Sequence, residues 1–357
     1  MIKPWKRLPL EVVSLSGTPC EVAHELGAMR HTQIEKRILA WDETLARLYR
    51  GRRDKLKRLE KSFLREAIKQ APHYVEEIRA MAQGAGVSFT DLFRLNCTEL
   101  NAFAEKCTTL ILPVKTRDGQ RIFIAHNEDW DPRRNDVFVL KVRLPQCSYV
   151  ILTYDGYLPG LSCGFNSWGL YHAVNYLRPK DMRVGLPRIF ITRHLVTATD
   201  VADCLAWIHK SRRAFGQSIH LAEGERYTGL ELTARDVQLR QVLLPVAHAN
   251  HYLTRRFKTV AAKASPSSRI RQQTAEKILR EISGRQAPPW TLPQAKKIAA
   301  RVLSDRSTHP YCLWREADVP EEESATVACA MMVTGESELS IYRRSPESKR
   351  PLRIELP

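Results

Sequence analysis

The chain contains no apolar run approaching the ~18 residues that a membrane-spanning helix needs, so no membrane association is expected. It also lacks any CxxC pair. Its eight cysteines are dispersed along 357 residues, which argues against a zinc ribbon or a small disulfide scaffold and fits a reducing, cytoplasmic setting. There is no internal repeat and no low-complexity linker. The opening stretch MIKPWKRLPLEVVSLSG is basic with only a short, broken apolar part, so no secretory signal is expected. The closing RIELP carries no retention, peroxisomal or lipidation motif. Acidic residues are outnumbered, 39 against 56 Lys and Arg, giving a net charge of +17. The basic residues gather in segments such as Arg47–Arg58 and Arg343–Arg353, but Tyr49 is the one aromatic among them and no nucleic-acid motif frames them. A solvated basic face, or attraction of an anionic substrate, accounts for the charge at least as well, and nucleic acid is not expected as a partner.

What is present is ordinary globular material, 43% hydrophobic and 27% charged, enough for one to three domains. From about Thr18 to Asn101 apolar residues recur at helical spacing (Ala23, Leu26, Met29, Ile34, Ile38, Leu45). Gly51 breaks the first run, a second spans Lys55–Gln70, and a third starts after Pro72 and is interrupted at Gly84–Gly86. After Cys107 the pattern changes to short β-type runs, then a helical block over Pro187–His209, more β-type runs, helices over Ser268–Ser283 and Leu292–Ser304, and closing β-type runs over Ala325–Met332 and Glu338–Tyr342. Strands, then helices, then strands describe an α+β body rather than alternating βαβ units.

The break in composition falls at Lys106–Trp130, KCTTLILPVKTRDGQRIFIAHNEDW. Two β-rich runs around an Asp-Gly turn read as a hairpin, which brings its far end back to its start and makes Cys107 and Asp129 neighbours. A thiol facing a carboxylate in this way is a nucleophile-and-orienter geometry. The plainer alternative is a half-buried strand cysteine beside a turn carboxylate. A cysteine that opens a strand between a helical lead and an α+β body points to N-terminal-nucleophile chemistry. There, self-cleavage of the Lys106–Cys107 bond frees an α-amine, with an ordinary pKa of ~7.7–8, to act as the thiol's own base.

These residues, with GAGVSFTDLFRLNCTEL before them and GFNSWGLYHAVNYL, HANHYL, SSRIR and TVACAMM after them, resemble the acyl-coenzyme A:6-aminopenicillanate acyltransferase (isopenicillin N acyltransferase) family. That family belongs to the autoproteolytic cysteine Ntn hydrolases and is more distantly similar to penicillin V acylases and bile salt hydrolases. The resemblance runs over nearly the full length. It implies a four-layer αββα Ntn-hydrolase fold, with residues 1–106 as a helical lead segment (pro-segment or small subunit) and 107–357 as the catalytic body. Matched motif by motif, it makes Cys107 the nucleophile, Asp129 the group that holds the freed amine or orients the thiol, and Asn250 the main side-chain oxyanion donor. Asn175 becomes either an oxyanion contact or a strand-end structural residue. Arg269 becomes the cation near the thiol, with Arg271 as the alternative if the register differs. Asn166 reads as a turn residue. His126, His248 and His251 show no metal spacing, and neither metal nor cofactor is expected. The implied substrate is a small acyl amide or acyl thioester, with coenzyme A thioesters included, and the two processed fragments are expected to stay associated. Lys106 stands where a glycine is common before the cleaved bond. An unprocessed, inactive ligand-binding member is therefore the alternative.

Overall fold

The computed structural model describes residues 9–101, 106–131, 137–240, 243–316, 324–347 and 350–357. Residues 1–8, which carry most of the charge in the opening stretch, and 102–105, just before Lys106, lie outside the described residues, as do 348–349 within the C-terminal basic segment.

The lead segment begins with a strand, β1 (Val12–Ser16), and continues through helices α1 (Pro19–Met29), α2 (His31–Leu48), α3 (Arg53–Gln70), α4 (Pro72–Ala85) and α5 (Phe89–Leu95). Thr18 and Glu21 form a capping box that starts α1. Gly86, at φ +67°, ends α4 in the left-handed conformation that glycine adopts without steric cost. Helices α1 and α4 cross at glycines: a Cβ on Gly27 would lie 2.2 Å from Met81 O, and one on Gly84 only 1.9 Å from His24 O.

The body opens with the hairpin β2 (Lys106–Thr116) and β3 (Gly119–Trp130), followed by β4 (Val137–Arg143), β5 (Ser148–Tyr154), β6 (Cys163–Asn166) and β7 (Leu170–Leu177). Helices α6 (Arg188–Thr197) and α7 (Val201–Lys210) come next, then β8 (Gly216–Glu223), β9 (Arg226–Leu232), β10 (Val237–Arg240) and β11 (Val246–His248). The chain closes with α8 (Pro266–Arg285), β12 (Trp290–Thr291), α9 (Leu292–Leu303), β13 (Ala325–Val333), β14 (Glu338–Tyr342) and β15 (Leu352–Glu355).

The strands make two sheets. One runs β1-β4-β5-β6-β7-β8-β9-β10, and the other β11-β2-β3-β13-β14-β15 with β12 alongside β2. The sheets face each other where β2 meets β7 and β3 meets β9. Along β2, Ile111 points into the large apolar core between the sheets, while Leu110, Leu112 and Val114 point into a second core under α8 and α9. Helices α6 and α7 pack on the other sheet. The protein is thus a mixed α+β structure of two stacked sheets with helices, as the pattern of runs implies.

The sequence pattern missed β1, which pairs parallel with β4 and so places the lead segment inside the larger sheet. Its run is short and half exposed, and its strand character comes from its partner. Buried charge pairs tie the same segment to the body. Arg193 on α6 grips Glu77 on α4 through two bonds of 2.8 and 3.0 Å, and Arg30 grips Asp155 through 2.7 and 3.1 Å. Asn96 donates to Gly156 O and accepts from Leu158 N–H, and Glu99 accepts from the first N–H of α6.

Removing one partner of a desolvated pair leaves an uncompensated buried charge. Glu77→Ala is therefore expected to cost about 3–5 kcal/mol, read as a lower denaturant midpoint. Gly84→Ala is expected to cost about 1–3 kcal/mol, because the added Cβ meets backbone that cannot turn aside.

Candidate active site

The β2–β3 register sets the centre. Thr116 pairs with Gly119 across the Arg117-Asp118 turn, so Lys106 falls opposite Asp129 and Cys107 opposite Glu128. Directly opposed residues share a face of the pleat. The Cys107 thiol, only 1% exposed with its residue, therefore meets Glu128, at 3.6 Å from Sγ to Oε1. Glu128 Oε2 lies 3.1 Å from His126 Nε2, and His126 Nδ1 lies 2.8 Å from Thr109 Oγ1. All four side chains are buried between the sheets.

The opposite face of the strand pair carries Thr108, Asn127 and Asp129. Asp129, expected near the thiol, lies on this face instead. Its carboxylate accepts from Arg315 Nη2 at 2.8 Å and Thr326 Oγ1 at 2.7 Å, with Arg271 Nη1 at 4.0 Å. The carboxylate on the thiol's face is Glu128. Proximity of the strand ends was legible from the hairpin, but the pairing depends on parity, and one position along the strand reverses the face.

The cation beside Cys107 is Arg271, and Arg269 is exposed on α8. Arg271 donates to Cys107 O, to Thr108 Oγ1 at 2.7 Å and to Asn250 Oδ1 at 2.7 Å. The buried stripe of α8 (Ser267, Ser268, Arg271, Gln272, Ala275, Leu279) explains the choice. Arg271 is one turn before Ala275, and Arg269 is off the stripe.

Asn250 reaches Cys107 from the loop after β11. Its Oδ1 accepts the Cys107 backbone N–H at 2.9 Å, and its Nδ2 donates to Tyr176 O at 3.2 Å. In this state it holds the nitrogen of Cys107 rather than offering it a donor. Asn175, on β7, accepts from Thr109 Oγ1 at 2.7 Å and donates to His248 O at 3.2 Å, a tie across the two sheets. Asn166 closes the β6–β7 turn by accepting from the Trp168 and Leu170 N–H groups.

Sequence reasoning missed Glu128 and Arg315. Counting residues back from the turn would have found Glu128. Arg315 enters from the stretch His309–Glu316 (HPYCLWRE), whose approach to Asp129 has no local signature.

The loop carrying Asn250 is anchored by Glu231. That carboxylate accepts from His248 Nε2 at 2.9 Å and from the N–H groups of Leu253 and Thr254 at 2.8 and 2.9 Å. Burial opposes its ionisation, but these bonds and the His248 charge outweigh it and hold the carboxyl at about 2. Burial, then the charges of His248 and Arg271, push His251 down to about 4, and burial pushes His172 down to about 3.

This fold and cluster define an α+β protein with a buried cysteine whose thiol meets a carboxylate, whose N–H meets an amide and whose carbonyl meets a guanidinium. Residues 114–348 match the family described as acyl-coenzyme A:6-aminopenicillanic acid acyl-transferase, and the chain belongs to that family. The matched stretch starts within β2, downstream of Cys107. The chain is also similar to the β-alanyl-dopamine/carcinine hydrolase of Drosophila melanogaster, at 23% identity over 394 residues that cover 97% of this chain and 96% of that protein. Among solved structures it is similar to the Caenorhabditis elegans ortholog of N-acylethanolamine-hydrolyzing acid amidase (16% identity, TM-score 0.41, 70% of this chain and 100% of that one). A further similar structure is a mutant conjugated bile acid hydrolase from Clostridium perfringens (11% identity, TM-score 0.41, 69% of this chain and 92% of that one). No helix among the described residues is long and apolar enough to cross a membrane.

A ring whose pKa falls on folding takes up its proton on unfolding, so stability drops as the pH falls between the two values. His251 and His172 are expected to lower the melting temperature from pH 6.5 towards about 4 and about 3 respectively. A carboxylate with a depressed pKa stabilises above its unfolded value, and Glu231 loses its contribution from pH 4.5 towards about 2. His251→Gln should flatten the melting-temperature profile between pH 6.5 and 4, and an unchanged slope would refute the assignment.

Proposed function

We propose that the protein is a self-processing Ntn thiol enzyme of the four-layer αββα type, in which Cys107 takes an acyl group from an amide or thioester and passes it to water or an amine. The observation that carries this reading is the treatment of one residue. Cys107 is the second residue of β2, its thiol lies on Glu128, its N–H on Asn250 Oδ1, and its carbonyl on Arg271.

Before cleavage Cys107 has no α-amine, so the first step needs another base. Glu128 takes the thiol proton, Sγ attacks the Lys106 carbonyl carbon, and the Lys106–Cys107 amide bond breaks as nitrogen leaves with a proton. The resulting thioester between Lys106 and Sγ is hydrolysed by water. Residue 106 then ends the lead segment, and Cys107 begins the body with its thiol restored and an α-amine exposed. Asn250 Oδ1, already on that nitrogen, orients the amine as the base for turnover. Arg271 holds the Cys107 carbonyl and so fixes the residue that carries the nucleophile. In this reading Arg271 takes the place expected of Arg269, Asp129 acts at one remove by holding Arg271 and Arg315, and Asn175 braces the sheets. Oxyanion donation by Asn250 Nδ2 in the acylated state requires it to leave Tyr176 O.

The Drosophila relative supports hydrolysis of an N-acyl amine, with water as acceptor. A cleft lined by Lys180, Arg255, Lys258 and Lys263, next to the Tyr252–Thr254 stretch after Asn250, supports an anionic group on the substrate or acyl donor, coenzyme A thioesters included. The ties between lead segment and body support fragments that remain together after cleavage.

Intact-protein mass spectrometry tests the reading. Wild type is expected to give two co-eluting fragments, the larger beginning at Cys107, while Cys107→Ala stays one chain. If both stay at 40.9 kDa, Lys106 blocks maturation and the protein is an unprocessed ligand-binding member. In a processed enzyme, Lys258→Glu should raise KM for an anionic acyl donor severalfold with kcat little changed, and an equal KM would remove the cleft from the substrate path.

A further inference from the structure

Hydrogen-bond directions around His126 define a place for a cation. The Asn175 amide is oriented by its Nδ2, which donates to His248 O at 3.2 Å, so its Oδ1 faces Thr109 Oγ1 at 2.7 Å. Two oxygens that close share a proton, and Asn175 Oδ1 has none, so the Thr109 hydroxyl donates there. Thr109 has no second proton for His126 Nδ1 at 2.8 Å, and that nitrogen must therefore be the donor. In a neutral ring the lone pair then sits on Nε2, pointing at another acceptor, Glu128 Oε2, at 3.1 Å. Two acceptors at this separation need something positive between them. An extra proton serves, and so does a metal ion.

The third group makes the second option specific. Cys107 Sγ is 3.6 Å from Glu128 Oε1, and one ligand atom from each of Cys107, His126 and Glu128 lies within 4.8 Å of the others, all buried. Tetrahedral zinc with bonds of about 2.0–2.3 Å spaces its ligand atoms about 3.2–3.7 Å apart, close to these contacts. The Nδ1–H of His126 on Thr109 is the outer hydrogen bond that fixes a ligating imidazole.

We propose that Cys107 Sγ, His126 Nε2 and the Glu128 carboxylate form a site for a thiophilic divalent cation such as Zn²⁺, with a fourth position open. Binding exchanges two protons, one from the thiol and the one held between His126 Nε2 and Glu128 Oε2, for a doubly charged ion. The buried cluster is neutral before and after, so the exchange adds no net charge to a site that could not solvate it. If Cys107 is the nucleophile proposed above, the ion holds its thiolate and occupies its base, and the loaded chain neither matures nor turns over until the metal is withdrawn.

Cobalt(II), added to the chelator-stripped full chain as purified, is the probe. One equivalent is expected to give a sulfur-to-cobalt charge-transfer band that Zn²⁺ displaces. Losing an outer-shell partner costs about 10–100-fold in metal affinity. Losing a ligand should cost at least about tenfold, so His126→Gln and Glu128→Gln should bind that much more weakly. Cys107→Ser should lose the band, and Cys20→Ser, at the exposed cysteine, should keep it. Absence of the band in wild type, or a band unchanged in folded His126→Gln and Glu128→Gln, overturns the site even if Cys107→Ser proves unstable. The readout does not require self-cleavage. A chain that binds cobalt but never cleaves keeps the metal site and loses the maturation reading, and a chain that cleaves without the band does the reverse.

Discussion

The pairing of Cys107 with Glu128 across the β2–β3 hairpin is the constraint on which the site depends. It follows from a two-residue turn, Arg117-Asp118, that seats Thr116 against Gly119. From there each pair is determined, and so is the face it occupies. Cys107, Thr109, His126 and Glu128 fall between the sheets, and Thr108, Asn127 and Asp129 fall under the helices. One added or lost residue in that turn would turn one strand over relative to the other and part the thiol from Glu128.

Each face supports the other. On the helix side, α8 brings Arg271 to the Cys107 carbonyl and the segment after α9 brings Arg315 to Asp129, so the start of β2 is held by charge-assisted bonds. Between the sheets, the hydroxyl of Thr109 and the amide of Asn175 link β2 to β7, and His220 continues the chain to Tyr227 with contacts of 3.1 and 2.8 Å. Such a network, fully partnered and out of water, gives its members one arrangement. Asn250 joins the two sides, since its Oδ1 accepts from both Cys107 and Arg271.

The lead segment is part of the same solid. Through β1 it extends a sheet, through Glu77 and Arg30 it shares buried ion pairs with the body, and through Glu99 it satisfies the start of α6. A break at residue 106 would cut one covalent bond and leave these contacts in place.

Much of this was legible in the chain itself. The helical run of the lead segment, the hairpin at Lys106–Trp130, the α+β order and the family motifs are local patterns, set by periodicity, turn residues and composition. The motifs pointed to the stretches that carry Asp129, Arg269 and Asn250. The contacts of those residues were not legible, because whether a side chain reaches a thiol depends on strand parity, on the buried stripe of a helix and on which atom of an amide is turned inward. The sequence by itself determined the helical runs of the lead segment and the central hairpin, with a cysteine at the second position of its first strand. Only the tertiary structure decided that Glu128 meets the thiol, that Arg271 rather than Arg269 meets the Cys107 carbonyl, and that Arg315 holds Asp129. Those contacts join residues far apart in the chain, and they exist only once both sheets and their helices have closed around the same few ångströms.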